Sequence, residues 1–268
     1  MRKLFALAAA ATLALTGCAG NTDTSDGELT KLVVGASPVP HAAILEYVAD
    51  NLAADAGIDL EIKEYTDYVQ PNVALNAGEI DANFFQHLPY FEDEVSQKGY
   101  NLDHGTGIHI EPFGLYSKKV TDLKDLKDGS VVVVTNDPSN QARGLKLLEA
   151  EGLIKLADVP SPTLYDIAEN PKKLDIRESE APAIPVQLPD VDLAVINGNF
   201  ALEAGLVPAE DALALESGED NPYANILAWN KDTKKLDAIK KLDELLHSPE
   251  VAKFIKETYP NGEIIPAF

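Results

Sequence analysis

Three short stretches and one residue near the start of the chain carry side chains able to do chemistry. Arg143 lies in NDPSNQARG (136–144), a strand-to-turn-to-helix pattern. Free N–H groups at a helix start, with a guanidinium close behind, suit an anion. Phosphate fits poorly, because the segment has no GxxxxGK[ST] loop and Asp137 adds a negative charge; one carboxylate gripped by one Arg fits better. The second stretch gathers Tyr65, Tyr68, Phe84, Phe85, Tyr90 and Phe91 around His87. It reads equally as an aromatic minicore or as an aromatic pocket with a few polar groups. The third comprises Asn197-Gly198-Asn199 and Asn221–Asn225, whose amides donate and accept without net charge, though asparagines after strands are often plain turn residues. The lone cysteine, Cys18, follows Leu15-Thr16-Gly17.

Charge and composition narrow the partners. The chain has 22 Lys+Arg against 44 Asp+Glu, a net charge of −22 over 268 residues, which argues against nucleic acid and against anionic membrane surfaces. Residues 1–17 begin with Arg2 and Lys3 and continue as an apolar run, the shape of a secretory signal. Leu15 to Cys18 resembles a lipobox, which implies cleavage before Cys18 and lipidation there, palmitate being among the acyl groups. Residues 18–30 are small, polar and acidic, a flexible tether. Cleavage would remove two cations and no anion, so the mature body is more acidic than the whole chain. Arg143 and Arg177 are then the only arginines among many lysines. Arg177, flanked by acids in LDIRESE, reads as a surface residue, whereas Arg143 invites bidentate recognition.

A catalytic function has little to stand on, with no GxSxG, no second cysteine and no triad-like pair of elements. A metal-binding protein is the stronger rival, since His41, His87, His104, His109 and His247 coexist with many acids. No HExxH or cysteine-based spacing supports it, and His104 and His109 fall on opposite sides of one strand-like stretch.

Elements that must position these residues alternate as strand and helix. Lys31–Ala36, Asp59–Lys63 and Asp81–Phe85 read as strands, His41–Ala56 and Pro71–Ala77 as helices. A second set follows: strand Ser130–Thr135, turn Asn136–Asn140, helix Gln141–Glu151 and strand Asp192–Ile196. Thr233–Thr258 reads as helical. The pattern is α/β with largely parallel sheets in two lobes around a cleft, ligands lying beyond the carboxyl ends of the strands. Alternation within Asp81–Phe85 sends one of Phe84 and Phe85 to the core and the other away from it.

The strings TDYVQPNVAL, GEIDANFFQHLPYFED, HIEPFGLYSKK, VTNDPSNQARGLKLLEAEGLI, VDLAVINGN and NPYANI, in this order after a lipobox, resemble the methionine-binding lipoproteins of the NlpA family. The resemblance runs from about residue 31 to the end. It implies a two-lobed periplasmic-binding-protein-like fold with a ligand cleft between the lobes: 31–113 plus 229–268 as lobe 1, 114–228 as lobe 2. The implied function is capture of methionine, L- or D-, and delivery to an ABC permease driven by a cytoplasmic ATPase. The protein would be a non-enzymatic monomer, held on the extracytoplasmic side of the cell membrane through Cys18, with no cofactor or metal. By the same resemblance Tyr68, Phe85, His87 and Tyr90 enclose the thioether, Arg143 grips the carboxylate, Asn197 and Asn225 hold the amino-acid backbone, and Asn140 shares their turn. A methionine derivative or methionine-containing dipeptide is the alternative ligand. Between Arg177 and Val191 this chain departs from the family form, carrying ESEAPAIPVQLPDVD.

Overall fold

The computed structural model describes residues 29–268. The expected signal segment, Cys18 and nearly all of the expected tether lie outside those residues. Thr30, expected as the last residue of the tether, already pairs with Ile58 in a sheet.

Two mixed sheets organise the chain. The larger contains β1 (Thr30–Ala36), β2 (Ile58–Glu64), β3 (Ala82–His87), β4 (Leu102–His104), β5 (His109–Ile110), β13 (Ala224–Asn230) and β14 (Ile265–Pro266). The smaller contains β6 (Gly114–Tyr116), β7 (Val131–Thr135), β10 (Asp175–Ser179), β11 (Leu193–Ile196) and β12 (Ala212–Leu215); β8 (Lys155–Leu156) and β9 (Ile167–Glu169) form a separate ribbon. Strands β1, β2 and β3 run parallel, as do β7, β10 and β11, while β13 and β6 join them antiparallel. The parallel reading therefore holds for one side of each sheet, β3-β1-β2 in the larger and β10-β7-β11 in the smaller, and antiparallel strands enter where the chain passes between sheets. Helices α1 (Ala43–Val48), α2 (Gln70–Asn76), α3 (Leu88–Lys98), α4 (Pro138–Ala150), α5 (Ile184–Gln187), α6 (Gly198–Glu203), α7 (Pro208–Asp211), α8 (Leu236–Leu246) and α9 (Pro249–Thr258) complete the fold.

Sequence periodicity explains the packing. In the smaller sheet Val132, Val134, Leu193 and Val195 bury on one face against α4, and Val133, Ala194 and Ile196 on the other. This period of two is expected of strands covered on both faces. Each such side chain contributes about 1.5–3 kcal/mol by leaving water. In the larger sheet Leu32, Val34, Phe84, Leu227 and Trp229 pack beneath α1, α8 and α9, and Ile226 and Ala228 join Leu75 and Phe91 on the other side.

Several boundaries differ from the sequence reading. The helix expected over His41–Ala56 runs from Pro38, a proline at its first position, to Ala53, with wider turns at Pro38–Ala42 and Ala49–Ala53 on either side of α1. Helix α4 starts at Pro138 rather than Gln141, because the Asp137 Oδ1 accepts the Asn140 N–H at 2.8 Å and Pro138 takes the first turn; a proline without N–H is suited to that position. The single helix expected over Thr233–Thr258 is two, since Ser248 caps a fresh start at Pro249. Residues 224–228, expected in lobe 2, pair through β13 with β3, β4 and β5 of the larger sheet. The return crossing thus lies at 216–223, not near Trp229, while the outward crossing lies at 111–113. The departing segment after Arg177 folds as a short helical turn, burying Ala181, Ile184 and Leu188 against the smaller sheet.

Candidate functional site

The carboxyl ends of the parallel strands of both sheets converge on one cavity. Its wall contains all eight residues singled out in the sequence: Tyr68, Phe85, His87, Tyr90, Asn140, Arg143, Asn197 and Asn225. Gln86, Glu111, Gly198 and Asn199 also line it.

Strand β3 and the start of α3 supply the aromatic wall. Phe84 points into the core of the larger sheet, so alternation turns Phe85 to the cavity, where its ring lies 6.0 Å from Tyr68 and 6.2 Å from Tyr90. His87 ends β3 and caps α3: its Nδ1 accepts the Tyr90 N–H at 3.1 Å. That leaves the proton of the neutral ring on Nε2, which donates to Asn140 Oδ1 at 2.9 Å. Burial pushes the imidazole down to about 3, assisted by the Arg143 charge, so His87 is neutral at physiological pH. The Tyr68 hydroxyl donates to Asn199 Oδ1. Both bonds join a residue of the larger-sheet lobe to one of the smaller-sheet lobe and hold the cleft shut.

The polar wall comes from the other strand ends. Asn140, set by the Asp137 cap, donates its amide back to Asp137 at 3.0 Å and accepts from His87 and Asn197. It is therefore a cross-cleft fastener whose accepting oxygen is already engaged by two donors. Asn197 follows β11; its Oδ1 is buried and has no hydrogen-bond partner among the described residues. Asn225 Oδ1 faces His41 Nε2 at 3.0 Å.

Arg143, on α4, is buried, and its Nε and Nη2 meet the Glu216 carboxylate, with Nη2 also donating to the Glu111 carbonyl at 2.9 Å. Its plane lies 4.9 Å from the Phe113 ring and 4.2 Å from that of Tyr223. Arg177 stays on the surface, paired with Asp175.

Glu111 is the principal cavity residue that sequence reasoning missed. It sits on the outward crossing with Oε1 2.8 Å from His109 Nε2 and 3.2 Å from His41 Nε2, and Oε2 accepting the Asn199 N–H at 2.9 Å. Burial raises its pKa, while His41, the Asn199 N–H and Arg143 work in the opposite direction. Burial also lowers His41 to about 4 and His109 to about 3, so both rings are neutral: His109 Nε2 donates to Glu111 and His41 Nε2 to Asn225 Oδ1. The sequence signal was the close pair His109 and Glu111 in HIEP; His41 is remote in the chain and joins them only through the sheet. The strand-like stretch expected to hold both His104 and His109 is divided between β4 and β5.

His41, His109 and Glu111 have ligand-type atoms within 4.8 Å of one another. A metal-bound histidine usually donates its other ring N–H to a neighbour. Here both Nδ1 atoms are buried without a partner among the described residues, an arrangement that suits Nε2–H donors to Glu111 and Asn225 better than a metal centre.

Comparison with known proteins agrees with this geometry. The family model described as NlpA lipoprotein matches residues 32–268. The chain is 39% identical over 274 residues, spanning 99% of each chain, to the methionine-binding lipoprotein MetQ of Bacillus subtilis. It is also 39% identical over 257 residues to the D-methionine-binding lipoprotein MetQ of Escherichia coli, covering 94% of this chain and 93% of the relative. Among solved structures, a nutrient binding protein from Burkholderia cenocepacia bound to methionine superposes with a TM-score of 0.83 at 43% identity, covering 88% of this chain and 100% of the other. A lipoprotein from Actinomyces odontolyticus reaches a TM-score of 0.86 at 50% identity, covering 90% and 100%. With its two lobes, cleft and matching sequence, the chain belongs to the NlpA lipoprotein family.

Proposed function

We propose that this protein is an extracytoplasmic binding lipoprotein, anchored through lipid on Cys18, that captures methionine and delivers it to an ABC permease driven by a cytoplasmic ATPase. The supporting observation is one cavity in which a guanidinium, a carboxylate and an aromatic wall meet. A zwitterion needs both charges answered; a thioether favours aromatic edges. Arg143 would take the carboxylate, Glu111 and the free Asn197 Oδ1 the ammonium, Asn225 the backbone, and Tyr68, Phe85, His87 and Tyr90 the side chain. Asn140 would act by closing the cleft on the ligand. The crossings at 111–113 and 216–223 form the hinge of that closure. The methionine carried by the Burkholderia cenocepacia protein and the methionine-binding names of the curated relatives support the same reading.

The test is calorimetric titration of protein that has been unfolded and refolded to strip carried ligand, against L-methionine, D-methionine, other amino acids and Gly-Met. Tight binding confined to methionine is expected. Heat from Gly-Met but not from methionine would replace the ligand and keep the transport role; silence across the panel would defeat the reading.

A further inference from the structure

Arg143 is held by the hinge before any ligand arrives. Guanidinium presents five N–H donors in a rigid fork. In this protein the Nε–H and both Nη2 hydrogens are engaged by Glu216 and the Glu111 carbonyl. Nη1 makes no hydrogen bond to the described residues, and the side chain lines the cavity. Phe113 and Tyr223 flank the guanidinium plane. Glu111 and Phe113 belong to the outward crossing, Glu216 and Tyr223 to the return crossing. The two crossings are themselves tied, the Glu216 N–H donating to the Phe113 carbonyl at 2.8 Å. A side chain rooted in the smaller-sheet lobe is thereby fixed by both hinge segments.

We infer that Glu216 is a positioning residue for ligand recognition: it holds the Nε–Nη2 edge of Arg143 so that the Nη1 end is presented to the ligand carboxylate. This rests on the proposed binding of an amino acid in the cavity and assigns to the return crossing a part in its specificity. Glu216 touches no ligand in this scheme; it acts through Arg143. The alternative, that Glu216 merely neutralises a buried charge, makes a different prediction. Lost stability would affect every ligand alike, whereas a misaligned guanidinium affects only ligands that bring a carboxylate.

The experiment compares L-methionine with L-methioninamide, which keeps the ammonium and thioether and lacks the charged carboxylate, on wild type and Glu216→Gln. The ratio of their affinities measures the grip on the carboxylate. We expect the ratio to fall at least tenfold in Glu216→Gln, through weaker methionine binding with methioninamide changed less than threefold. Should Glu216→Gln not fold, Glu216→Asp carries the same prediction, since it keeps the charge and draws the carboxylate back from the fork. Methionine binding with an unchanged ratio overturns the inference alone. No methionine binding by wild type overturns the functional reading and the inference together.

Discussion

At the scale of single residues, two kinds of buried carboxylate stand at and beside the cavity. Asp137 is engaged by its own helix and serves the fold. Glu111 accepts from His109 Nε2 and from the Asn199 N–H. These donors, with His41 and Arg143 nearby, oppose the upward push of burial on its pKa and leave it, the one acid among the described residues lining the cavity, to meet an ammonium. Replacing Glu111 by Gln should weaken methionine binding at least tenfold, about 1.4 kcal/mol, in a calorimetric titration; an unchanged affinity would place the ammonium on the asparagines instead. Gly198 bears on the same carboxylate. A Cβ at this position would lie 2.7 Å from the Glu111 Cβ, a contact that forces one of them to shift. Gly198→Ala should therefore fold and lose methionine affinity, read by circular dichroism and calorimetry together; full affinity would show that Glu111 has room to adjust. Most of this chemistry was legible in the sequence, because Arg143, the FFQHLPY aromatics and the two asparagine turns are local strings. Glu111 was only half legible: HIEP places it beside His109, but His41, in the helical turn after β1, shares no spacing with them and reaches them only through the fold. Glu216 was hidden for the same reason: its partner lies on another element, and one more acid in so acidic a chain draws no attention.

At the scale of elements, the site depends on where strands stop and helices begin. Periodicity located β1, β3, β7 and β11 within a residue or two, since buried β-branched runs admit few alternatives. Helix starts were less legible: NDPSN reads as a turn until the Asp137 cap is recognised as the first step of α4. That cap sets Asn140, and through it the bonds to His87 and Asn197. Asp137→Ala should lower stability by about 1 kcal/mol, the usual effect of losing an N-cap, and should weaken ligand binding by loosening Asn140; unfolding in urea measures the first. A stability equal to wild type would mean that Pro138 alone fixes the start of the helix. The return crossing was misplaced because its position came from the expected two-lobed fold, and nothing local in 224–230 says which sheet β13 joins.

At the scale of the molecule, three buried neutral histidines make folding sensitive to acid. His41 titrates near 4 and His87 and His109 near 3 in the folded state, whereas an unfolded histidine takes up its proton near 6.5. Between those limits the unfolded chain binds more protons, so stability falls as pH drops from about 7 toward 4. Glu111 and Asp137, raised by burial, act in the opposite sense, because the folded state protonates them first. His109 owes its shift to burial, so His109→Gln removes one histidine contribution and eases the repulsion on His41. Its loss of stability between pH 7 and pH 5, from urea unfolding at each pH, should be smaller than that of wild type. An equal loss would show that His109 does not remain neutral in the fold.

The claim on which everything else depends is that this cavity holds methionine by its carboxylate at Arg143. Calorimetric titration of L-methionine into refolded wild type and Arg143→Ala side by side addresses it most directly. The account predicts tight binding to wild type and a loss of roughly 2–5 kcal/mol in the variant, the penalty for leaving a buried carboxylate without its partner. Tight binding that survives Arg143→Ala with less than a tenfold loss would contradict it, and the carboxylate would have to be held elsewhere.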